Sequence, residues 1–475
     1  MKDLAFRSAF ELADAVRNGE LAPTALVQAC LDRIDALNPA LNAFVALRRE
    51  EALEEAAVLQ RQIVAGKRLG PLAGLPVGVK DLEDATGLPT TYGSRPFRDY
   101  RPTRDSVQVA RLRTAGAIVL GKTNTPEFGY TGLTKNLLFG VTRNPWNLER
   151  TPGGSSGGSS AAIASGMVPL VTASDGGGSI RIPACYVGAY GLKPSFGRVP
   201  VGPLIADRPM LPWIDTVCYG PLTRTVRDAA LFLDVVAGPD PSDPETLPPP
   251  GLSYVDTLEQ LPARLRIAVS PGLGYARVQR DVRREVEAAI DVFRALGHEV
   301  EIVDDVFPDL GAEWAAVSAA ETYGLLAESV EAHRGEWGRA FYEGLQQGKA
   351  VTPAFIARVQ RKRAALQAVL ARLFERCALL LTPTLPTEAF AAAGPFPETI
   401  DGAPIGSALG AVAFTYPFNF SGHPAASVRA GFTDAGLPAG LQIVGPRFRD
   451  DLVLQASYAY EQARPWNDRW PELAA

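Results

Sequence analysis

The sequence predicts an α/β fold, a single large domain in which a central mixed, twisted sheet is covered by helices on both faces. Short continuous apolar runs of strand length alternate with longer helical segments, which is the pattern of strands buried on both faces. Hydrophobic residues make up 47% and charged residues 21% of the 475-residue chain, as in ordinary globular proteins. A chain of this length buries a large core without disulfides or metal ions.

The first half of the chain supplies helices and then the first strands. A helix is expected to begin at Pro23 and to stop at Asn38-Pro39, and a second helix spans 50–65. The remaining expected elements of this half are a strand at 75–81, a helix at 106–115, a strand at 117–120, a helix at 159–165 and a strand at 168–172.

The second half returns to the sheet after a long helical region. A helix at 225–236 ends before a proline-rich surface connection that extends to Pro250. Residues 308–376 are expected to be mostly helical and to cap the molecule, and 385–405 to form a loop long enough to line a site. The other expected elements are strands at 266–270, 299–303, 378–381, 426–430 and 440–444 and helices at 281–296 and 452–462.

Composition excludes several functional classes. The net charge of −5 gives no basic face for nucleic acid and no polybasic patch for a membrane. The N-terminus has no apolar signal segment, and no run of 18 apolar residues is present. Four separated cysteines predict neither a disulfide framework nor a CxxC metal pair, so buried, reduced thiols in a cytoplasmic protein are expected.

Two glycine-rich turns, each with a serine, are the most informative feature of the chain. The first contains Ser155 in 153–158, and the second contains Ser179 directly after Gly176, Gly177 and Gly178. Glycine allows backbone N–H groups to converge on a ligand, as a nucleophile beside an oxyanion hole requires. A flexible linker is the alternative, but the first turn runs directly into a helix, and Asp175 and Arg181 flank the second as a bracing pair.

Lys80 ends an apolar strand. It is either a lysine that extends its amine to solvent at the strand end or a desolvated base with a lowered pKa. A rival motif, 116–123, matches the phosphate-binding pattern G-x-x-x-x-G-K-[ST], but its central residues are apolar and read as a strand. Of the three histidines, only His423 lies in a loop where a Ser-His-Asp hydrolase could use it.

Taken together, these segments resemble the amidase signature family of serine hydrolases, and more particularly bacterial amidases such as aryl acylamidases and nylon-oligomer hydrolases. The resemblance is dense over 8–235 and looser over 378–462, and its matching stretches are 74–81, 116–127, 142–147, 152–158, 175–183, 191–194, 220–228 and 440–445. It implies one amidase domain over 1–475, divided into N-terminal helices (1–65), a catalytic core (66–238), a variable, mostly helical cap (239–376) and a C-terminal return to the sheet (377–475).

The resemblance implies a Ser–cis-Ser–Lys triad. Ser179 would be the nucleophile, and Ser155, on a cis peptide bond, would relay its proton to a neutral Lys80. The same relay would protonate the leaving amine. The backbone N–H groups of Gly176, Gly177, Gly178 and Ser179 would hold the oxyanion, with Asp175 and Arg181 as structural support.

Substrate contacts are also carried over from the resemblance. Tyr130, Gly129 and Ser156 fall where family members contact substrate. Gly176 departs from the family pattern, in which many members have an isoleucine, and is expected to widen the pocket. Trp213 and the aromatic segment 414–420 form either an aromatic wall or part of the core.

The resemblance implies hydrolysis of small, moderately hydrophobic amides through an acyl-enzyme, with no metal and no cofactor. Esters and carbamates are expected as further substrates. The expected partners are therefore small molecules, without nucleic acid or membrane, and a homodimer is left open. Two alternatives remain. One is the A subunit of a tRNA-dependent amidotransferase, with glutaminase activity, and the other is a non-catalytic binding protein on the same scaffold.

Overall fold

The computed structural model describes residues 2–202, 215–304 and 306–473. Its strands are β1 (Phe44–Leu47), β2 (Pro76–Lys80), β3 (Ile118–Thr123), β4 (Lys135–Asn136), β5 (Gly140–Val141), β6 (Leu170–Asp175), β7 (Tyr190–Lys193), β8 (Cys218–Thr223), β9 (Arg266–Val269), β10 (Glu299–Ile302), β11 (Leu379–Pro383), β12 (Thr399–Ile400), β13 (Ala403–Pro404), β14 (Ala425–Phe432) and β15 (Pro438–Val444). Eleven of them form one sheet in the order β1-β3-β2-β6-β8-β7-β14-β15-β11-β9-β10.

The α-helices are α1 (Lys2–Ala5), α2 (Ala9–Arg17), α3 (Pro23–Leu41), α4 (Arg49–Val64), α5 (Val107–Thr114), α6 (Gly157–Ala164), α7 (Arg181–Val187), α8 (Val226–Val236), α9 (Tyr254–Thr257), α10 (Arg280–Ala295), α11 (Gly311–Ala332), α12 (Arg339–Lys349), α13 (Pro353–Arg376), α14 (Tyr416–Phe420) and α15 (Asp450–Ala463). Within the described ranges, every helix is too short or too polar to cross a lipid bilayer.

The sheet is mixed. Strand β2 runs parallel to both β3 and β6, and β9 runs parallel to β10 and β11, whereas the other neighbours are antiparallel. Every residue of β2, β6, β7, β8, β11 and β15 is buried. Successive side chains of a strand point to opposite faces, so complete burial means that both faces of the sheet are covered. The predicted α/β fold class is confirmed.

Most predicted elements are present, with ends displaced by a few residues. The predicted end of helix α3 was wrong, because the helix does not stop at Asn38-Pro39 but continues to Leu41. Pro39 lacks the N–H that would bond the Asp35 carbonyl, and both residues are exposed, so water can bind that carbonyl instead. The helix ends at Asn42, which has a left-handed φ of 52° and donates its N–H to the Asn38 carbonyl.

Strands β1, β7 and β8 of the large sheet and the two-residue strands β4 and β5 were not predicted. Glycine and proline interrupt the apolar residues of β7 and β8. Strand β1 is an apolar run of only four residues, between two predicted helices. The predicted helical region is found as α11, α12 and α13, which cover residues 311–376 with two short breaks. The predicted loop 385–405 contains the small hairpin β12–β13.

Candidate active site

Two neighbouring strand ends bring the serine turns together. Lys80 is the last residue of β2, and Asp175 is the last residue of β6, which runs parallel to β2. Parallel strands end at the same edge of a sheet, so the segments that follow them meet there. Helix α6 starts just after Ser155, and α7 starts just after Ser179. The side chain of Lys80 therefore extends towards the turns that precede both helices.

The amine of Lys80 is surrounded by hydroxyl groups. Its Nζ lies 2.8 Å from Ser155 Oγ, 2.8 Å from Ser156 Oγ and 2.9 Å from Ser174 Oγ. The side chain is completely buried. An ammonium donates to all three hydroxyls, whereas a neutral amine has a lone pair that accepts a proton from one of them. The cluster therefore accommodates both protonation states.

Burial lowers the pKa of Lys80 to about 7, against the opposing attraction of Glu83 and Asp175. Glu83 is buried as well, and its own pKa is raised to about 7, mainly by burial. A lysine with a pKa near 7 is neutral in a large fraction of molecules at neutral pH. This is the property that a general base requires.

The backbone around Ser155 has no room for side chains at the preceding glycines. Gly153 has a left-handed φ of 87°, and a Cβ there would lie 2.7 Å from Pro183 Cα. A Cβ on Gly154 would lie 2.8 Å from the Leu133 nitrogen. The Gly154–Ser155 peptide bond is cis, as predicted. The first serine turn is therefore a shaped segment and not a flexible linker.

The second turn binds its own carboxylate, and this corrects one predicted role. The N–H of Gly178 donates to Asp175 Oδ1 at 2.7 Å, so it is not free to bind an oxyanion. The N–H groups of Gly176, Gly177 and Ser179 meet no acceptor among the described residues. Gly178 instead gives the turn its shape, with a φ of 132°. Three of the four predicted donors remain available.

Asp175 and Arg181 form a completely buried ion pair that braces this turn. Arg181 donates to Asp175 through Nε at 3.0 Å and Nη2 at 2.9 Å. Burial alone would raise the pKa of Asp175, but the charge and hydrogen bonds of Arg181 outweigh it and lower the pKa to about 2. The bracing extends to Asn419 and Gln442, both of which accept from Arg181. Asn419 also donates to Asp175 Oδ1 at 2.8 Å.

Ser179 is the partly exposed member of the predicted triad. Its carbonyl accepts from the N–H of Ser156 at 3.3 Å, which joins the two serine turns. Ser155 and Ser179 line the same cavity. Lys80 and Ser155 are in direct contact, but no hydrogen bond joins the hydroxyls of Ser155 and Ser179 in the described residues.

The cavity has a volume of about 300 Å³ and is predominantly apolar and aromatic. No charged residue lines it within the described chain. Gly176 borders it, and a Cβ there would meet only Val217 Cγ2, at 3.3 Å. The absence of a side chain at Gly176 therefore leaves space open beside Ser179. The other lining residues are Leu82, Tyr92, Phe128, Gly129, Tyr130, Thr131, Gly132, Ser155, Ser174, Gly177, Ile182, Thr216, Tyr219, Trp314, Ala315, Ser318, Thr322, Phe396, Ala408, Leu409 and Val412.

The three predicted substrate contacts have different positions. Tyr130 and Gly129 line the cavity, and a Cβ on Gly129 would lie 3.1 Å from Ser155 Oγ. Ser156 does not line it. Its side chain is completely buried, and its hydroxyl contacts Lys80 instead, because the start of α6 turns the side chain inward.

Several cavity residues were missed because they come from the variable region. Trp314, Ala315, Ser318 and Thr322 lie on α11. Phe396, by contrast, lies before β12 in the loop 385–405, which was expected to line a site. The aromatic segment 414–420 belongs to the core, since Phe414, Tyr416, Phe418 and Phe420 are all buried and none lines the cavity. Trp213 lies outside the described residues. No local motif marks these positions, and only the three-dimensional packing brings them together.

Neither the phosphate-binding pattern at 116–123 nor His423 lines the cavity. Residues 118–123 of the phosphate-binding pattern form the buried strand β3, and Lys122 is held by the Glu83 carbonyl, Thr90 and Asp81. His423 stacks on Phe374 outside the cavity, and burial lowers its pKa to about 3. It is therefore not positioned as the base of Ser179.

Comparison with known protein families matches residues 25–454 to the amidase family. The match covers most of the chain, and the chain belongs to this family. It is accordingly an amide hydrolase, a class that acts on carbon–nitrogen bonds.

Two relatives are similar to the chain over its whole length. An acylamidase from Rhodococcus erythropolis is 39% identical over 474 residues, which cover 99% of this chain and 98% of the relative. The A subunit of the glutamyl-tRNA(Gln) amidotransferase from a Cyanothece species is 34% identical over 488 residues, covering 98% and 99%.

Two solved structures are similar throughout. A bacterial aryl acylamidase of the amidase signature family has a TM-score of 0.91 at 35% identity and covers 98% of each chain. A 6-aminohexanoate cyclic dimer hydrolase complexed with substrate has a TM-score of 0.86 at 31% identity, covering 98% of this chain and 99% of the other. The sheet and the helical region thus have counterparts in both enzymes.

Proposed function

We propose that the protein hydrolyses small, neutral amides through an acyl-enzyme formed on Ser179, with Ser155 and Lys80 as the proton relay. One observation carries this proposal. A buried lysine whose pKa is lowered to about 7 contacts Ser155 at 2.8 Å, beside a cavity that Ser155 and Ser179 both line. No other group at the cavity combines a basic atom with a nucleophile in this way among the described residues.

In the proposed mechanism, neutral Lys80 accepts a proton from Ser155 while Ser155 accepts one from Ser179. The oxygen of Ser179 then attacks the amide carbon, and the carbonyl oxygen becomes an oxyanion. The free N–H groups of Gly176, Gly177 and Ser179 would hold that charge. The relay returns the proton to the nitrogen, the amine leaves, and water attacks the acyl-enzyme by the same route.

The lining of the cavity favours an uncharged substrate with an aromatic or aliphatic body. Burial of a charged group in an apolar cavity without a partner is strongly unfavourable. The relatives named as an acylamidase and an aryl acylamidase agree with an amide of this kind. Esters and carbamates present the same carbonyl carbon, so a urethane-cleaving activity is included in the proposal.

The A subunit of a tRNA-dependent amidotransferase is the second candidate, because the chain is similar to such proteins over its whole length. The lining of the cavity disfavours it. Free glutamine carries an ammonium and a carboxylate, and the described lining has no charged side chain to pair with either.

We further propose that the enzyme is cytoplasmic and acts without nucleic acid or membrane. Sedimentation would distinguish a monomer from a homodimer.

The test is a panel of anilides, aliphatic amides, an aryl ester, a dicarbamate and glutamine, with the released amine (for the ester, the released alcohol) as readout. Neutral anilides are expected to react fastest and glutamine slowest. A fluorophosphonate should label Ser179 in the native protein. Preferential glutamine cleavage would instead support the amidotransferase, and absence of both labelling and turnover would support a binding protein.

A further inference from the structure

Trp314 reaches from the helical region into the second serine turn. Its indole Nε1 donates to the carbonyl oxygen of Gly176 at 2.9 Å. Its ring lies so close to the next residue that a Cβ on Gly177 would be 2.1 Å from Trp314 Cζ2. Trp314 is on α11, more than 100 residues after the turn, and it also lines the cavity.

A hydrogen bond to a carbonyl also orients the N–H of the following residue. The peptide unit is planar, and in its trans form the carbonyl oxygen and the amide hydrogen point in opposite directions. The Gly176–Gly177 bond is trans. The bond from Trp314 to the Gly176 carbonyl therefore turns the N–H of Gly177 away from the indole, as a free donor of the turn.

The other three peptide units of the turn are oriented by different groups. The Asp175 carbonyl, opposite the N–H of Gly176, accepts from Asn419 Nδ2 at 2.8 Å. The Gly177 carbonyl accepts from Thr415 Oγ1 at 2.7 Å, and the opposite N–H, of Gly178, is consumed by Asp175. The Gly178 carbonyl accepts from the N–H of Ile182 at 2.7 Å, which orients the N–H of Ser179. Trp314 is thus the anchor of the free Gly177 N–H.

The tryptophan is itself held in place. Its ring stacks on Tyr416 with centroids 6.1 Å apart, and Tyr416 donates to Asp309 at the start of α11 at 2.7 Å. Because the start of α11 and the ring are both tied to Tyr416, the position of the indole depends on how α11 docks on the core. An exposed flexible tryptophan would not fix a peptide plane.

We propose that Trp314 is a positioning residue that sets the oxyanion hole from the helical region. This inference rests on the proposed function, in which Ser179 is acylated and the Gly177 N–H binds the oxyanion. Hydrogen-bond donors stabilise an oxyanion most when they are oriented before the reaction. The helix that borders the cavity therefore also acts on the chemical step.

The test compares two identical substitutions. Trp314→Phe retains an aromatic ring but removes the indole N–H. Trp337→Phe is the matched control, because Trp337 also lies in the helical region and its Nε1 meets no acceptor among the described residues. Loss of a whole oxyanion donor costs about 10²- to 10³-fold in kcat, so loss of its anchor should cost about 10- to 100-fold.

The kinetic constants distinguish two roles of Trp314, orientation of the Gly177 N–H and packing in the cavity wall. For Trp314→Phe we expect kcat to fall by a similar factor for a small and a bulky anilide, with KM nearly unchanged. The inhibition constant of a trifluoromethyl ketone analogue, which forms an oxyanion on Ser179, should rise by the same factor as kcat/KM falls. Trp337→Phe should leave kcat and this inhibition constant near wild type.

A second perturbation covers the case in which Trp314→Phe does not fold. Gly177→Ala leaves Trp314 in the chain but should displace its indole, because the added Cβ would lie 2.1 Å from Trp314 Cζ2, and kcat should fall. Gly176→Ala, whose Cβ would meet only Val217 Cγ2 at 3.3 Å, is the control in the same turn and should cost less. If Trp314→Phe instead raised KM for the bulky anilide alone, Trp314 would be only a wall residue. If the wild type neither labelled at Ser179 nor released amine, the proposed function itself would be wrong.

Discussion

The serine turns around Lys80 and the helical segment α11–α13 border the same cavity but are built differently. In the turns, charged groups are buried and paired, as in the pair Arg181–Asp175, whose side chains have no exposed surface. In the helices, ion pairs such as Arg339–Glu343 are solvated, with side chains 90% and 56% exposed. The helices contribute apolar and aromatic groups to the cavity instead.

The serine turns and the helical segment should therefore tolerate substitutions to different degrees. Removal of one partner of a buried ion pair strongly destabilises the fold, because the other charge stays desolvated. An exposed ion pair contributes little to stability. Chemistry that depends on fixed N–H groups and a lowered pKa is therefore confined to the turns. The helical segment can vary its cavity surface, and with it the substrate, except where it contacts the turns.

The largest expected effect is on the nucleophile. Ser179→Ala should lower kcat by about 10⁴-fold or more, since the acyl-enzyme cannot form. Amine release from the best anilide measures it, and an unchanged melting temperature shows that the fold is intact. Retained turnover with loss of activity in His423→Ala would overturn the proposed triad.

The base comes next. Lys80→Ala should lower kcat/KM by about 10²- to 10⁴-fold, and Ser155→Ala by nearly as much, because each interrupts the proton path. In the wild type, kcat/KM should rise with pH and level off above a midpoint near 7, since Lys80 loses its proton there and only then accepts one. A profile that is flat from pH 5 to 9 would contradict a lysine base.

The bracing pair should dominate stability. Asp175→Asn leaves the Arg181 charge buried without its partner, so the free energy of unfolding should fall by about 3–5 kcal/mol. Glu343→Gln removes an exposed pair in α12 and should change it by less than about 0.5 kcal/mol. Urea unfolding of both variants makes the comparison, and equal losses would show that the two regions do not differ as described.

The smallest effect concerns the cavity wall. Gly344→Ala places a Cβ 2.1 Å from the Tyr130 hydroxyl, so this ring must move, and KM for bulky anilides should change about threefold while kcat for small ones is kept. Gly324→Ala on α11 has no neighbour within 4 Å and is the matched control. It should leave both constants unchanged and stabilise the helix by up to about 1 kcal/mol. If Gly344→Ala and Gly324→Ala changed KM equally, KM would not depend on the position of the Tyr130 ring.

Much of the site was predictable because its chemistry is local. Glycines that leave no room for a Cβ, an apolar strand ending in Lys80 and the flanking pair Asp175–Arg181 are all visible in short segments. The hydrogen bond from the Gly178 N–H to Asp175 could not be predicted from the sequence, because it depends on the orientation of a single peptide plane. The inward rotation of Ser156 and the contact from Trp314 depend on packing between distant segments, which no local pattern encodes.

The order of strands in the sheet has a consequence for biosynthesis. Strands β14 and β15, near the end of the chain, lie between β7 and β11, and β15 carries Gln442, a partner of Arg181. A nascent polypeptide leaving the ribosome cannot close the middle of its sheet until residue 444 has emerged. Premature termination before that point leaves open edges and a stranded guanidinium, so truncated translation products should be inert and subject to aggregation.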